Sequence, residues 1–265
     1  MERLGSGFLW LAGAIGLNTD LMAEYGPRVL AGVGTTLLIV ALSMPIGAVI
    51  AYPLAMARLS RNRLAANLAA AYIYFFRGTP LLAQLFLIYS GLGVLFLTYR
   101  GTLQDLGLWS IFREGFYYVI AAFSLNTGAY QAEILRGGIE SVPRGQSEAG
   151  EALGLHAGQI FRKIVLPQAF IVSLRPYGNE LILMIKASSV ASLVTVFDLM
   201  GATKLAYSRS YDLEVFLWAA VIYLVMVEFI RRLWDAMEHR LTRHLRQDPI
   251  GAKAMTVPRE TVAAE

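Results

Sequence analysis

The stretch "SEAGEALGLHAGQIFRKIVLPQA", residues 147–169, is polar, punctuated by glycine and carries both signs of charge. It lies in a chain of 265 residues that is 56% hydrophobic and only 16% charged. Soluble chains carry about a quarter charged residues. The interruption therefore decides the fold: an apolar chain leaves its apolar surroundings here, builds something small and helical, and returns. Pro143 and Gly145 are expected to end the helical run before it, because proline lacks a donor and glycine favours turns. "QSEAGEAL" then supplies good helix formers, with Glu148 near the positive N-terminal end of the helix. Gly154 stands where a left-handed glycine closes a helix. "HAGQIFRKIVL" predicts a second short helix, with Ile160, Ile164 and Val165 on one side and Arg162 and Lys163 on another. Pro167 is expected to mark the turn into the next apolar run. The small Ala149 and Ala152 would let a partner backbone approach the first helix closely, although helix-glycine-helix loops are also ordinary surface features.

Outward from this loop the chain reads as membrane-spanning. No charged residue lies between Arg28 and Arg58, a run long enough for a first span although Pro45 and Pro53 interrupt it. Arg58, Arg61 and Arg63 mark a cytoplasmic loop by the positive-inside rule. A second span runs from about Leu64 to Leu97, followed by a charge-balanced outer loop to Gly115. The third is "FYYVIAAFSLNTGAYQAEI", residues 116–134, and the fourth begins near Pro167 and ends near Lys186. "ASSVASLVTVFDLMG", residues 187–201, reads as a re-entrant or short helical segment packed inside the protein. The last span is residues 213–230, and Arg231, Arg232, Arg240, Arg243 and Arg246 follow it on the cytoplasmic side. The expectation is an all-α membrane protein of five spans, N-terminus outside and C-terminus inside. Residues 1–28 form an outer segment in which "FLWLAGAIGL" (8–17) lies on the membrane surface, being too short to span. Residues 29–246 form the transmembrane domain, with the loop at about 141–167, and 247–265 a cytoplasmic tail.

Several chemistries are missing from the pattern. The chain has no cysteine, which removes disulfides, thiolate nucleophiles and cysteine zinc sites. The net charge of +4 comes from arginines clustered in loops, which fits membrane topology rather than nucleic-acid binding. His156, His239 and His244 lack metal-site spacing. An integral membrane enzyme would need a motif such as HExxH or GxSxG, and neither is present. A secondary transporter would show inverted repeats, which the sequence does not display. No GxxxxGK[ST] occurs to cradle ATP phosphates.

"EAGEALG" followed ten residues later by "IVLP" resembles the EAA loop of ABC importer permeases. Glu148, Ala149, Gly154, Ile164, Leu166 and Pro167 occupy the matching positions, and Gly150 departs from the family's second alanine. "FFRGTPLLAQLFLIYSGLG", "LNTGAYQAEILRGGIESVPRGQ" and "GNELILMIKASSVASLVTVFDL" are similar to the polar amino acid branch, nearest its histidine, arginine, ornithine and opine members. The likeness covers about residues 27–245. It implies a type I importer permease in the bacterial inner membrane that moves polar, basic amino acids or opines, with glutamine or glutamate as the alternative cargo. It implies two partner ATPases that bind the ATP and magnesium, so that this chain holds no cofactor and no catalytic residue. A second permease, related but distinct, and an extracytoplasmic binding protein complete the implied assembly. The same resemblance gives Glu148, Ala149, Gly150, Gly154 and Leu155 the ATPase contact.

Ionisable and polar groups inside apolar runs are candidates for a substrate path. Arg77 either lines that path or satisfies carbonyls freed by Pro80. Glu180, beside Asn179, either lines it or makes a subunit contact. Asn126 and Thr127 either glue helices or line it. Asp198 reads as an unpaired carboxylate suited to a cationic substrate, or as the cap of the helix that follows. Lys186 ends its span, where it can snorkel to the interface.

Overall fold

The computed structural model describes residues 19–242, and these are helical with no strand among them. The expected surface helix at 8–17 and the tail at 247–265 lie outside the described residues. The first helix, α1 (Thr19–Leu59), is a single 41-residue rod that runs through Pro27, Pro45 and Pro53. The prolines therefore do not interrupt the first span. Beside Pro45, the Met44 carbonyl receives a hydrogen bond from Gln131 Nε2 at 3.0 Å.

The second expected span is two helices, α2 (Arg63–Gly78) and α3 (Leu81–Thr98). Asn62 caps α2 by accepting from the amides of Leu64 and Ala65. The break falls at Thr79-Pro80, because the residue before a proline is pushed out of helical geometry; Thr79 is extended, with φ −115° and ψ 148°. Pro80 also removes the amide that would pair with the Phe76 carbonyl. Gln84 Nε2 at 2.8 Å and Asn126 Nδ2 at 3.0 Å take its place. The outer connection is not plain loop: it forms α4 (Arg100–Asp105) and α5 (Trp109–Phe112).

Helix α6 (Gly115–Glu140) is the centre of the fold, with buried residues on every side from Gly115 to Gly138. It packs against α1 at very short range. A Cβ placed on Gly47 would meet Thr127 Cγ2 at 2.5 Å and Gln131 Nε2 at 2.9 Å. Small residues are what allow two membrane helices to approach so closely. The main core joins Ile39, Leu85, Phe123, Ile185 and Leu199, which brings α1, α3 and α6 together with the later helices. A second core packs Ala51, Ala55 and Ile73 against Ala129, Ala132 and Leu135.

After α6 come α7 (Arg144–Ala152) and α8 (Ala157–Ile160), then one π turn (Phe161–Val165) that leads without a break into α9 (Leu166–Ala187). A 3-10 turn (Ser188–Leu193) follows, then α10 (Leu199–Ser210) and α11 (Glu214–Thr242). The semi-polar segment 187–201 is thus a short helical turn and a helix start, with Ser188, Ala191 and Asp198 buried, as its pattern suggested. Among the described residues, α1 and α3 alone are apolar enough by length and composition to cross a membrane, whereas α6, α9 and α11 carry polar side chains.

The Gly47 contact is directly testable. Gly47→Leu is expected to destabilise the detergent-solubilised protein by ~2 kcal/mol through overpacking. Gly34→Leu, where a Cβ meets nothing within 4 Å, should leave the thermal midpoint unchanged.

Candidate functional site: the loop at 141–167 and the polar seam

The loop that decided the fold is a built structure. Pro143 and Gly145 do not both terminate the preceding helix: α6 has already ended at Glu140, Pro143 begins α7, and Gly145 lies inside it. At the other end Gly154 is left-handed, with φ +76°. Leu155 N donates to Gly150 O at 3.1 Å and Gly154 N to Glu151 O at 2.9 Å. That pair of bonds is a Schellman closure, which satisfies the last carbonyls of α7. His156 then caps α8 reciprocally: its Nδ1 accepts from Gln159 N, and Gln159 Oε1 accepts from His156 N.

Pro167 makes no turn. A proline at that point removes a helical bond and crowds the carbonyl four residues earlier. The widened π turn absorbs this, and Gln168 Nε2 donates to Ile164 O at 3.0 Å. The second half of the loop is therefore one continuous helix with α9. Glu148, Ala149, Ala152 and Gly154 are exposed along the tip, and Leu155 is partly covered. Gly150 points the other way. It is buried, and a Cβ there would meet Ile160 Cγ1 and Ile164 Cδ1 at 3.0 Å. Gly150 thus supports the loop from beneath and does not belong to its outward contact face. Leu153, which the sequence reading passed over, is 81% exposed at the tip. Its signal was present as a leucine at the end of a polar helix, just ahead of the closing glycine.

The expected substrate-path residues separate into two groups. Asn126 donates to Phe76 O and to Gln84 Oε1, both at 3.0 Å, and so joins α6 to α2 and α3. Glu180 is buried and accepts from Thr127 Oγ1 at 2.8 Å, so its contact lies within this chain, while neighbouring Asn179 is exposed. Asp198 is not unpaired. It is fully buried, its Oδ1 accepts from Gly201 N at 2.9 Å, and its Oδ2 faces Tyr223 Oη at 3.4 Å. The capping alternative is the one observed. Arg77 does not satisfy the carbonyls freed by Pro80, since Gln84 and Asn126 do so. Its guanidinium instead lies 5.2 Å over the Tyr130 ring and 3.9 Å from Glu133, and its side chain is 43% exposed.

Glu133 gathers three arginines. Arg136 holds it at 2.8 Å and bonds Glu140 at 2.6 Å, while Arg58 stands at 3.6 Å and Arg77 at 3.9 Å. Glu133 is the one acid within residues 116–134, a signal that could have singled it out. Gln84 offered a weaker one, as an amide four residues beyond a proline.

Apolar helices tied by internal side-chain bonds, with a closed helical loop between two of them, are the features of a membrane-embedded helical subunit. Residues 43–243 match the family described as binding-protein-dependent transport system inner membrane component, and the chain belongs to that family. It is 44% identical over 231 residues to the nopaline transport system permease protein of Agrobacterium fabrum, covering 87% of this chain and 94% of the relative. It is 37% identical over 216 residues to the histidine/lysine/arginine/ornithine transport system permease protein of Escherichia coli K12, covering 81% and 89%. A solved amino acid ABC transporter with histidines superposes with a TM-score of 0.71 at 33% identity, covering 83% of this chain and 96% of that one. The chain is a permease subunit of an amino acid ABC importer with the type I permease fold, an inner membrane component.

Removing the amide that repairs the α2–α3 break should be costly. Gln84→Leu leaves the Thr79 carbonyl and the Asn126 side chain short of partners, and is expected to lose ~1–3 kcal/mol, read as a lower thermal midpoint of the solubilised protein.

Proposed function

We propose that this chain is the permease of an importer for basic amino acids or opines, driven by ATPases that grip the 141–167 loop. The observation that carries the coupling role is the continuity of the loop with α9: a push on the tip passes through the π turn into the helix that holds Glu180. The outward face, Glu148, Ala149, Leu153 and Gly154, is the contact proposed for the ATPase groove, with Leu155 at its edge. An exposed leucine flanked by small residues suits an apolar anchor in a pocket. Magnesium and ATP are assigned to the two partner ATPases. A second permease, related but distinct, and an extracytoplasmic binding protein complete the assembly. In this reading the chain crosses the membrane five times, by α1, the α2–α3 pair, α6, α9 and α11, with the loop and the C-terminus in the cytosol and the N-terminus outside. ATP binding favours the outward-facing state by closing the ATPases, and hydrolysis resets it.

The basic-cargo reading is supported by the likeness to permeases named for nopaline and for histidine, lysine, arginine and ornithine. Its test is thermal stabilisation of the cognate binding protein by a panel that includes arginine, histidine, nopaline, glutamine and glutamate. Stabilisation by the last two alone overturns it. For coupling, Glu148→Lys in a reconstituted complex should cut ATP-driven uptake by about tenfold or more while the chain still inserts, because it reverses the charge of an exposed face without touching a buried contact. Wild-type uptake would remove Glu148 from the contact.

A further inference from the structure

Between α3, α5 and the start of α6 opens a cleft of about 410 Å³, lined by Tyr89, Gly93, Phe96, Trp109, Arg113 and Tyr118 among others. Its aromatic walls are in mutual contact: Tyr89 meets Tyr118 edge to face at 5.4 Å between ring centres, and Phe96 meets Phe112 at 4.2 Å. Gly93 adds open space, since a Cβ there meets nothing within 4 Å. Arg113 is the one charged residue of the lining. Its Nε lies 3.4 Å from Glu114, and its side chain is 61% exposed. Arg100 stands close by, its guanidinium 5.2 Å over the Trp109 ring. Two planar cations therefore sit at one end of an aromatic cleft, with donors spaced to meet the oxygens of a single anion.

The level of the cleft selects its ligand. Under the topology proposed above, the connection from α3 to α6 lies outside, and Arg113 stands just ahead of the outer end of α6. Phe96 meets Phe112 at that end, and Tyr89 meets Tyr118 one turn inside it. From Leu97 to Tyr89 the cleft follows α3 for ~12 Å, most of one ~15 Å half of the hydrocarbon layer. Around the mouth Val94, Leu97, Leu106 and Ile111 are exposed, with Tyr99 and Tyr117 beside them. Tyrosines in that setting mark a membrane–water boundary. A protein arriving from water needs a polar rim; apart from the arginines and Glu114, this one is aliphatic and aromatic. Helices α4 and α5, six and four residues long, are also too short to keep their form alone. They call for a neighbour on the side that the protein leaves open.

We propose that this cleft holds one phospholipid of the outer leaflet. The phosphate diester takes the paired donors of Arg113, and Arg100 adds a second positive charge. One acyl chain runs along the aromatic walls past Gly93 and ends at Tyr89. The chain alone gains little over bulk lipid, because lipid tails are as apolar as the wall. Retention comes from the guanidinium–phosphate contact, which is strengthened at the edge of a low-dielectric layer. The bound lipid is then the packing partner that α4 and α5 lack. Every glycerophospholipid carries the diester, so the site reads that group and not the headgroup beyond it. The inference rests on the topology reading and is independent of which amino acid is imported.

The full complex, stripped of lipid in detergent, is titrated with palmitoyl-oleoyl phosphatidylglycerol, and bound molecules are counted by native mass spectrometry. Gly93→Leu fills the cleft where the backbone leaves room, and Arg113→Gln removes the cation. Each is expected to weaken one bound molecule per copy of this chain by about tenfold or more, as loss of a charge-assisted contact dictates. Phosphatidylethanolamine with the same chains should bind as the phosphatidylglycerol does. The matching diacylglycerol, which lacks the phosphate, should bind about tenfold more weakly. Equal binding of the diacylglycerol, displacement by inorganic phosphate, or an unchanged count in both variants would overturn the proposal. Gly93→Cys, in a chain with no other cysteine, tests protein occupants. A cross-link from it to a second subunit, or its protection by the binding protein, would give the cleft to protein and also overturn the proposal. Leu106→Cys, in the same connection, is treated in spheroplasts with a membrane-impermeant maleimide. No labelling from outside defeats the topology, whereas outside labelling with an unchanged lipid count defeats this site alone.

Discussion

The structure depends on one polar seam along α6. Asn126 binds α2 and α3, Thr127 binds Glu180 of α9, and Gln131 binds the α1 carbonyl at Met44. Thr127 is used twice: its hydroxyl donates to Glu180 and accepts from Gln131 Nε2 at 3.1 Å. In a hydrocarbon layer the apolar surfaces of helices gain little by leaving lipid for one another, so packing and interhelical hydrogen bonds set which faces meet. An amide left without a partner there would cost several kcal/mol, which makes each of these contacts hard to exchange for another. The seam therefore fixes register as well as adhesion. The tight α1–α6 approach at Gly47 is what brings Met44 within reach of Gln131.

The same economy governs the prolines. Pro80 sits at a true break, and its missing amide is replaced at the Phe76 carbonyl by Gln84 and Asn126. Pro167 costs one turn of altered pitch and no break. Pro45 disturbs α1 so little that the helix keeps its course for 41 residues. The three outcomes follow from neighbours rather than from the prolines. Where an extended residue precedes the ring, at Thr79, the chain breaks; where the preceding residue stays helical, as at Pro45 and with a widened turn at Pro167, the helix continues.

These neighbours are also why the sequence was legible in some places and opaque in others. Apolar runs and arginine-rich loops report solvent, which is a local property. They located α1, α6, α9 and α11 and the exposed loop between α6 and α9. Gly154 was readable because a left-handed closing residue after a helix is a local requirement. The partners of polar side chains are long-range, and single residues do not carry them. Asp198 looked unpaired because Tyr223 lies 25 positions away, and Arg77 was tied to Pro80 because the acceptor it approaches, Glu133, is on another helix. The second span was read as one run from Leu64 to Leu97 because its one charge, Arg77, does not mark the break at Thr79-Pro80, which backbone geometry makes.

The loop shows how a departure from a family pattern can be structural in origin. At position 150 a Cβ would press on Ile160 and Ile164, the two isoleucines that return the chain toward the membrane. Glycine there lets α7 lie closer on α8 and the π turn. The intrinsic cost of glycine in a helix is at most ~1 kcal/mol, and the Schellman closure at Leu155 and Gly154 limits fraying at the end where that cost would show. Gly150 exchanges a little helix propensity along the tip for close packing across the base of the loop, and the exposed residues of α7 take no part in that packing.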